Sequence, residues 1–372
     1  MFSLHLRKLF IHKSIVDLPQ VAAIKSRLDV PAEVVGNAQD VYNEVSGSDD
    51  PVEAGKSILF LTENQGRFIR SCPGTRYYTC CGYKILHIGT FCTLDCSYCI
   101  LQSYFHPPVL QFFVNYEDMF SELDHLFSEK RLSRIGTGEF TDSMIWESIS
   151  DLSAQLVTRF ARQSSSVLEL KTKTVAVDGL KHLDHNRKTI VSWSLNTPRI
   201  IQTDERLTTS LSERFKAAKR CESWGYPVAF HFDPMVIYDG CTEEYAAVAE
   251  QIFNYVSPEN ISWISLGSFR FIPSLKSIIQ KRFQKSKIPY GEFISGLDGK
   301  MRYFKPLRIE LYREVIARIR QSAPDVCVYF CMEDDEVWRK SMGFTPKEKG
   351  GLPTMLDQSA VRICKLESDG AS

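Results

Sequence analysis

Cys92, Cys96 and Cys99 stand in the run Gly89-Thr-Phe-Cys-Thr-Leu-Asp-Cys-Ser-Tyr-Cys-Ile-Leu101, a C-x3-C-x2-C spacing within one short loop. Three thiolates placed this way can each hold one iron of a cubane 4Fe-4S cluster and leave the fourth iron open to a small molecule. Structural zinc takes four ligands, commonly two C-x2-C pairs or one pair with two histidines, and no second pair at matching spacing follows this triplet. Disulfides fit less well again. Eleven cysteines is an odd number, and the start Met1-Phe-Ser-Leu-His-Leu-Arg-Lys-Leu-Phe10 has neither the long apolar core nor the cleavage site of a secretory signal. The chain is therefore expected in a reducing, cytoplasmic setting, with Cys92, Cys96 and Cys99 as metal ligands.

The chain has 372 residues and is 44% hydrophobic, enough for one large core or one large and one small. No apolar run approaches the roughly 20 residues of a membrane span. Lys and Arg total 45 and so do Asp and Glu, so net charge gives no support for broad nonspecific attraction to nucleic acid and leaves only a local basic face open. The acid-free segment from Lys276 to Lys287, with Lys281, Arg282 and Lys285, reads as a solvated helix.

The elements that must position the thiols follow from periodicity. Strands are predicted over 84–88, 132–136, 166–171, 189–195, 227–232, 261–266 and 326–331, with helices near 116–130, 143–163, 208–224, 243–256, 272–284 and 306–321. Six or seven such units imply an α/β chain whose parallel sheet curls into a partial (β/α)6-type TIM barrel, with its chemistry at the carboxyl ends of the strands. The cysteine loop follows the first strand, as that rule requires. Residues 1–77 read as a small N-terminal subdomain, 78–344 as the core with its closing strand and helix, and 345–372 as a flexible tail.

Tyr98 before the third cysteine and the strand-like Lys84-Ile-Leu-His-Ile88 add context, and together with the triplet they resemble the radical SAM signature. That resemblance implies S-adenosylmethionine on the open iron. Arg134-Ile-Gly-Thr-Gly-Glu-Phe-Thr-Asp142 resembles the Gly-Gly-Glu element of such enzymes, with Gly136 and Gly138 for close backbone approach and Glu139 for the cofactor ammonium. Lys173 is a candidate for the cofactor carboxylate, and Ser194 with Asn196 for carboxylate or ribose.

From Tyr78 to about Cys331 the order of pieces resembles the spore photoproduct lyase family: the Ser-Tyr-Cys end of the loop, Thr172-Lys173, Ser194-Leu-Asn196, Phe269-Arg-Phe-Ile-Pro273, Gly299-Lys-Met-Arg-Tyr303 and Val328-Tyr-Phe330. The resemblance implies a 5′-deoxyadenosyl radical acting on DNA that contains a thymine lesion, and an electron donor such as flavodoxin or ferredoxin. It implies Arg270, Lys300, Arg302 and Tyr303 for substrate contacts and Tyr98 as a radical-relay residue. The family's hydrogen-returning cysteine has no counterpart here, because the matching stretch reads Gly138-Glu-Phe-Thr-Asp142, and Ile100 stands where a second tyrosine is usual. Cys331, at the end of the last strand, is the candidate for a relocated donor. Another substrate for the same chemistry, or a zinc or nucleic-acid-binding module without catalysis, are the competing readings. Cys72, Cys80 and Cys81 read chiefly as local packing, because neighbours on a strand point to opposite faces. His231 reads as a satisfied core histidine, and Cys221, Cys241 and Cys364 as structural.

Overall fold

The computed structural model describes residues 4–74 and 77–367. Met1–Ser3, Thr75, Arg76 and residues 368–372, which include parts of the N-terminal start, of the Cys72–Tyr83 run and of the tail, lie outside the described residues.

Seven parallel strands in sequential order form the main sheet: β1 (Lys84–Leu86), β2 (Ser133–Gly136), β3 (Ser166–Thr172), β4 (Thr189–Ser194), β5 (Val228–Met235), β6 (Ile261–Ser268) and β7 (Val328–Phe330). Ile69–Ser71 pairs antiparallel with the outer edge of β1. The sheet curls without closing, giving the partial TIM barrel anticipated from the alternating pattern. Each strand lies where its β-branched and apolar run predicts it. The central strands β3 to β6 are buried along most of their length, as strands covered on both faces must be.

Most helices also fall where expected. Leu211–Ser223 begins at a capping box in which Ser210 and Glu213 satisfy each other's backbone N–H groups. The predicted helix over 143–163 is confined to Leu152–Ala161. Met144, Ile145, Trp146 and Ile149 are still buried, but as turns. Asp142 Oδ1 accepts from Met144 N–H at 2.9 Å and Ser150 Oγ from Leu152 N–H at 3.1 Å, so local side chains satisfy donors that a helix would otherwise use.

Two further departures bear on the site. The expected flexible tail contains the helix Leu352–Cys364, whose Leu356, Ala360 and Cys364 are buried against the barrel. Its apolar residues follow the helical period, and Pro353 suits a first turn, but the preceding Gly350-Gly351 disguises the start. The N-terminal residues form a second sheet in which Ala32–Val35, Lys8–His12, Ile58–Thr62 and Leu110–Phe113 run parallel in that spatial order, closed by antiparallel Gly89–Thr90. That sheet therefore holds the strands on both sides of the cysteine loop. A Cβ on Gly89 would lie 2.4 Å from the Gln111 carbonyl, so only glycine allows this pairing. Among the described residues no helix is long and apolar enough to cross a membrane.

Candidate active site

The cysteine loop leaves the second sheet through Phe91, whose φ of 70° lies in the left-handed region and turns the chain into the triplet. Its backbone is tied down from three directions. Lys56 Nζ donates to the carbonyls of Cys92 (2.9 Å) and Leu94 (2.5 Å) and sits 4.6 Å from the centre of the Phe91 ring. Gln102 Nε2 donates to the carbonyls of Cys96 (3.0 Å) and Ser97 (3.1 Å). Asp95–Cys96 pairs antiparallel with Glu205–Arg206, and Arg282 Nη1 meets Asp95 at 3.0 Å while its Nε meets Asp50 at 2.9 Å. Arg282 is thus not a solvated member of its basic segment. Its side chain is 8% exposed and braces the loop.

With the carbonyls occupied, the thiols are left for chemistry. Burial pushes Cys92 up to about 12 and Cys96 well above the ordinary thiol range, so both keep their protons until a cation supplies compensating charge. Leu94 N–H points at Cys92 Sγ at 3.4 Å, the kind of donor that stabilises a cluster-bound sulfur. Among the described residues no three His, Cys, Asp or Glu side chains converge on a single ion position. A rigid loop presenting three unspent thiols fits a 4Fe-4S group.

The strand ends beyond the loop carry the other candidates. Asp142 clamps β2 to β3: its oxygens accept from Thr172 Oγ1 and Lys173 N–H, both at 2.8 Å. Lys173 is pushed down by burial, yet Glu205 holds it above the usual lysine value, and its Nζ lies 5.5 Å from the Tyr98 ring centre. Tyr98 is buried and donates its O–H to Glu205, which is paired at 2.6 Å with the fully buried Arg214. The space beside Gly136 is filled by the Tyr83 hydroxyl, and that beside Gly138 by Lys171, so the close approach these glycines permit is to the protein itself. Asn196 is likewise engaged: its amide donates to the Pro234 carbonyl at 3.0 Å, and its oxygen accepts from the Tyr245 hydroxyl at 2.5 Å and Thr197 N–H at 3.1 Å. Ser194 is buried at the end of β4, where its carbonyl takes Arg214 Nη1 at 2.8 Å.

Glu139, Lys171, Asp233, Arg270, Lys300 and Cys331 face one another across the mouth of the barrel. Glu139 is open to solvent, but protein surrounds it closely enough that desolvation raises its carboxyl against the pull of Lys171. Burial pushes Asp233 up, yet Arg270 takes it below the ordinary carboxylate range through contacts of 2.9 and 3.1 Å. Arg270 Nη2 also reaches Cys331 Sγ at 3.5 Å. Arg302 is buried, donating to Asp298 (2.8 Å) and the Met332 carbonyl (3.1 Å) and stacked over Tyr78. Tyr303 packs on Phe293 with ring centres 4.7 Å apart. Of the four expected DNA contacts, Arg270, Arg302 and Tyr303 are therefore committed to internal partners and build the rim. Lys300 lies 3.8 Å from Asp298. Below them His231 bridges Glu169 (2.8 Å) and Ser265 (2.7 Å), as a satisfied core histidine does.

Sequence reasoning missed Lys56, Glu205, Arg214 and Asp233. Only Asp233 is an acid set in an apolar strand, which is a signal for a buried partner but not for which one; Lys56, Glu205 and Arg214 stand near other charges such as Glu53, Asp204, Arg206 and Glu213 and carry no such signal.

The family model for spore photoproduct lyase matches residues 71–303. The spore photoproduct lyase of Clostridium acetobutylicum is 26% identical over 255 residues, covering 68% of this chain and 71% of its own length. That of Bacillus subtilis is 26% identical over 232 residues, covering 61% and 66% respectively. A solved structure of a spore photoproduct lyase variant with bound AdoMet and dinucleoside spore photoproduct superposes with a TM-score of 0.77 at 20% identity, covering 87% of this chain and 98% of the other. With a family match spanning more than half its length and the thiol loop at its head, the chain belongs to the spore photoproduct lyase family.

Proposed function

We propose that this protein is a radical S-adenosylmethionine lyase that reverses a thymine-dimer lesion of the spore photoproduct type in DNA. The observation that carries this reading is the braced loop of three thiols at the carboxyl end of β1, opening on a charged barrel mouth. Cys92, Cys96 and Cys99 would hold the 4Fe-4S cluster, which when loaded supplies the electron that cleaves S-adenosylmethionine to a 5′-deoxyadenosyl radical. Lys173 offers a cation for the cofactor carboxylate and Glu139 an open carboxylate for its ammonium. The lesion must be turned out of the base stack to enter the mouth.

Glutamate has no hydrogen atom to return, so Glu139 cannot replace the family's donor cysteine. Cys331 meets the requirement. It lies at the exit of β7, and burial pushes its thiol up to about 12, so at neutral pH the sulfur retains the hydrogen that a thiolate would lack. Arg270 holds the sulfur from one side while Asp233 holds Arg270.

The test is anaerobic incubation of cluster-loaded protein with S-adenosylmethionine, a low-potential reductant and dinucleoside spore photoproduct. Thymidine freed of its cross-link and 5′-deoxyadenosine are both expected. The missing thiol in 138–142 favours, as a second reading, radical chemistry on a different substrate; 5′-deoxyadenosine without thymidine release would select it.

A further inference from the structure

We propose that the outer face of the helix Pro273–Arg282, with the turn that follows it to Lys287, holds the phosphate backbone of DNA beside the barrel mouth; this rests on the reading that DNA carries the lesion. From sequence, Lys276 to Lys287 reads as a solvated helix. The structure divides the segment in two. Leu275, Ile279 and Phe283 turn inward and pack in one cluster with Cys96 and Tyr98. Arg282 joins that inner side through Asp50, Asp95 and Gln102. The helix that braces the cysteine loop therefore begins three residues beyond Arg270 of the mouth, and its other side looks outward.

That outer side carries cations and nothing to neutralise them. Lys276, Lys281, Lys285 and Lys287 are exposed, and among the described residues none has an ion-pair or side-chain hydrogen-bond partner. The acids that meet the segment are used elsewhere, Asp50 and Asp95 on Arg282 and Asp204 on the Ser286 hydroxyl. Other surface lysines differ: Lys8, Lys305, Lys340 and Lys347 each meet a carboxylate. In a chain whose charges sum to zero, four unpaired cations between 276 and 287 make a local positive field that the net charge hides. Helical spacing sets exposed Ser277 and Gln280 between Lys276 and Lys281, so the face has cations at its edges and neutral polar groups along its middle.

At its start the face opens into a cleft of about 270 Å³ lined by Lys276 with Phe271, Pro273, Gly291, Phe293 and Met301. Phe271 and Phe293 meet edge to face with ring centres 4.9 Å apart. A cation beside an aromatic recess suits a phosphate together with an unstacked base. The recess is what favours a nucleic acid over an acidic protein surface, which would ask only for the cations. With Arg270, Arg302 and Tyr303 committed to internal partners, the mouth itself has little to grip a backbone with, and a lesion turned out of the stack needs its flanks held.

The experiment is fluorescence anisotropy of full-length, cluster-loaded protein with an undamaged duplex and with the same duplex containing one spore photoproduct, each over a range of KCl concentrations. A lysine on a phosphate releases a counterion, so each lost contact lowers the slope of log K against log[KCl] by about one. Lys276→Gln/Lys281→Gln/Lys285→Gln should lower it by roughly 2–3 on both duplexes alike. Lys25→Gln/Lys216→Gln/Lys219→Gln removes the same charge from exposed positions on other helices and should keep the wild-type slope. An unchanged slope in the first variant overturns the proposal, and so does an equal drop in the second, which would make net charge the whole effect. A drop found with RNA of the same sequence and absent with DNA overturns the partner. Binding to undamaged DNA needs no turnover, so the outcome is separate from the lyase assay: a wild type that grips DNA through this face yet frees no thymidine overturns the proposed reaction and upholds the surface.

Discussion

Two groups of cysteines, the loop at Cys92–Cys99 after β1 and the pair Cys80–Cys81 before it, behave oppositely. In the loop, lysine and glutamine are spent on backbone carbonyls, and burial pushes Cys92 and Cys96 upward. In the pair, one thiol donates to another, and the two split into a thiolate near pH 5 and a thiol held far above it. Cysteine count and spacing do not separate these cases. The difference lies in exposure: buried Cys92 stays high although Leu94 N–H points at its sulfur, whereas exposed Cys80 is drawn down by its neighbouring donors.

The comparison breaks most severely at the loop. Replacing Cys92, Cys96 or Cys99 with alanine should abolish both iron retention and 5′-deoxyadenosine formation, measured by iron analysis and chromatography, whereas Cys80→Ala should keep its iron. Next in size is Lys56→Met. It leaves the carbonyls of Cys92 and Leu94 and the Asp95 carboxylate short of a buried cation, at a cost of about 2–4 kcal/mol. Urea unfolding of the cluster-free protein measures this loss. An unshifted midpoint would mean that the loop is not held through its carbonyls.

The contrast also marks what could be read from the chain alone. The triplet and the seven strands are local signals: a fixed spacing, and apolar runs of strand length from Ile85 to Phe330. The braces are not local. Lys56 lies 36 residues before Cys92, and Arg282 lies 187 residues beyond Asp95, so their roles exist only once the second sheet and the basic helix are in place. The helix Leu352–Cys364 was hidden by glycines that mark its start. Cys80 and Cys81 were misplaced for a physical reason, since strand alternation was applied to a segment that Gly82 turns out of any strand. Arg302 and Tyr303 carried the right chemistry for DNA but are spent on Asp298, the Met332 carbonyl and Phe293.

The smallest effect is the sharpest test of the pair. A disulfide reagent such as dipyridyl disulfide reacts with thiolate, but thiolate nucleophilicity falls with thiol pKa along a slope of about 0.4–0.5. Between a Cys80 near 5 and an unperturbed thiol at 9, that slope costs roughly 60-fold in intrinsic reactivity. At pH 7 the thiolate fraction favours Cys80 by only about 100-fold, so the two nearly cancel and a rate at neutral pH reveals little. At pH 5.5 the fractions differ by roughly 2000-fold, and Cys80 should react about 40 times faster than an unperturbed thiol. The sign of the pH dependence follows: Cys80 reactivity should be flat from pH 8 down to about 6 and fall only as pH passes through 5. Cys81→Ala removes the donor that makes Cys80 a thiolate, so its profile should move toward that of an ordinary thiol, with the pH 5.5 advantage lost. A profile already centred near 9 in wild type would show that the two cysteines are not joined, and the pair would then differ from the loop in exposure without a lowered thiol.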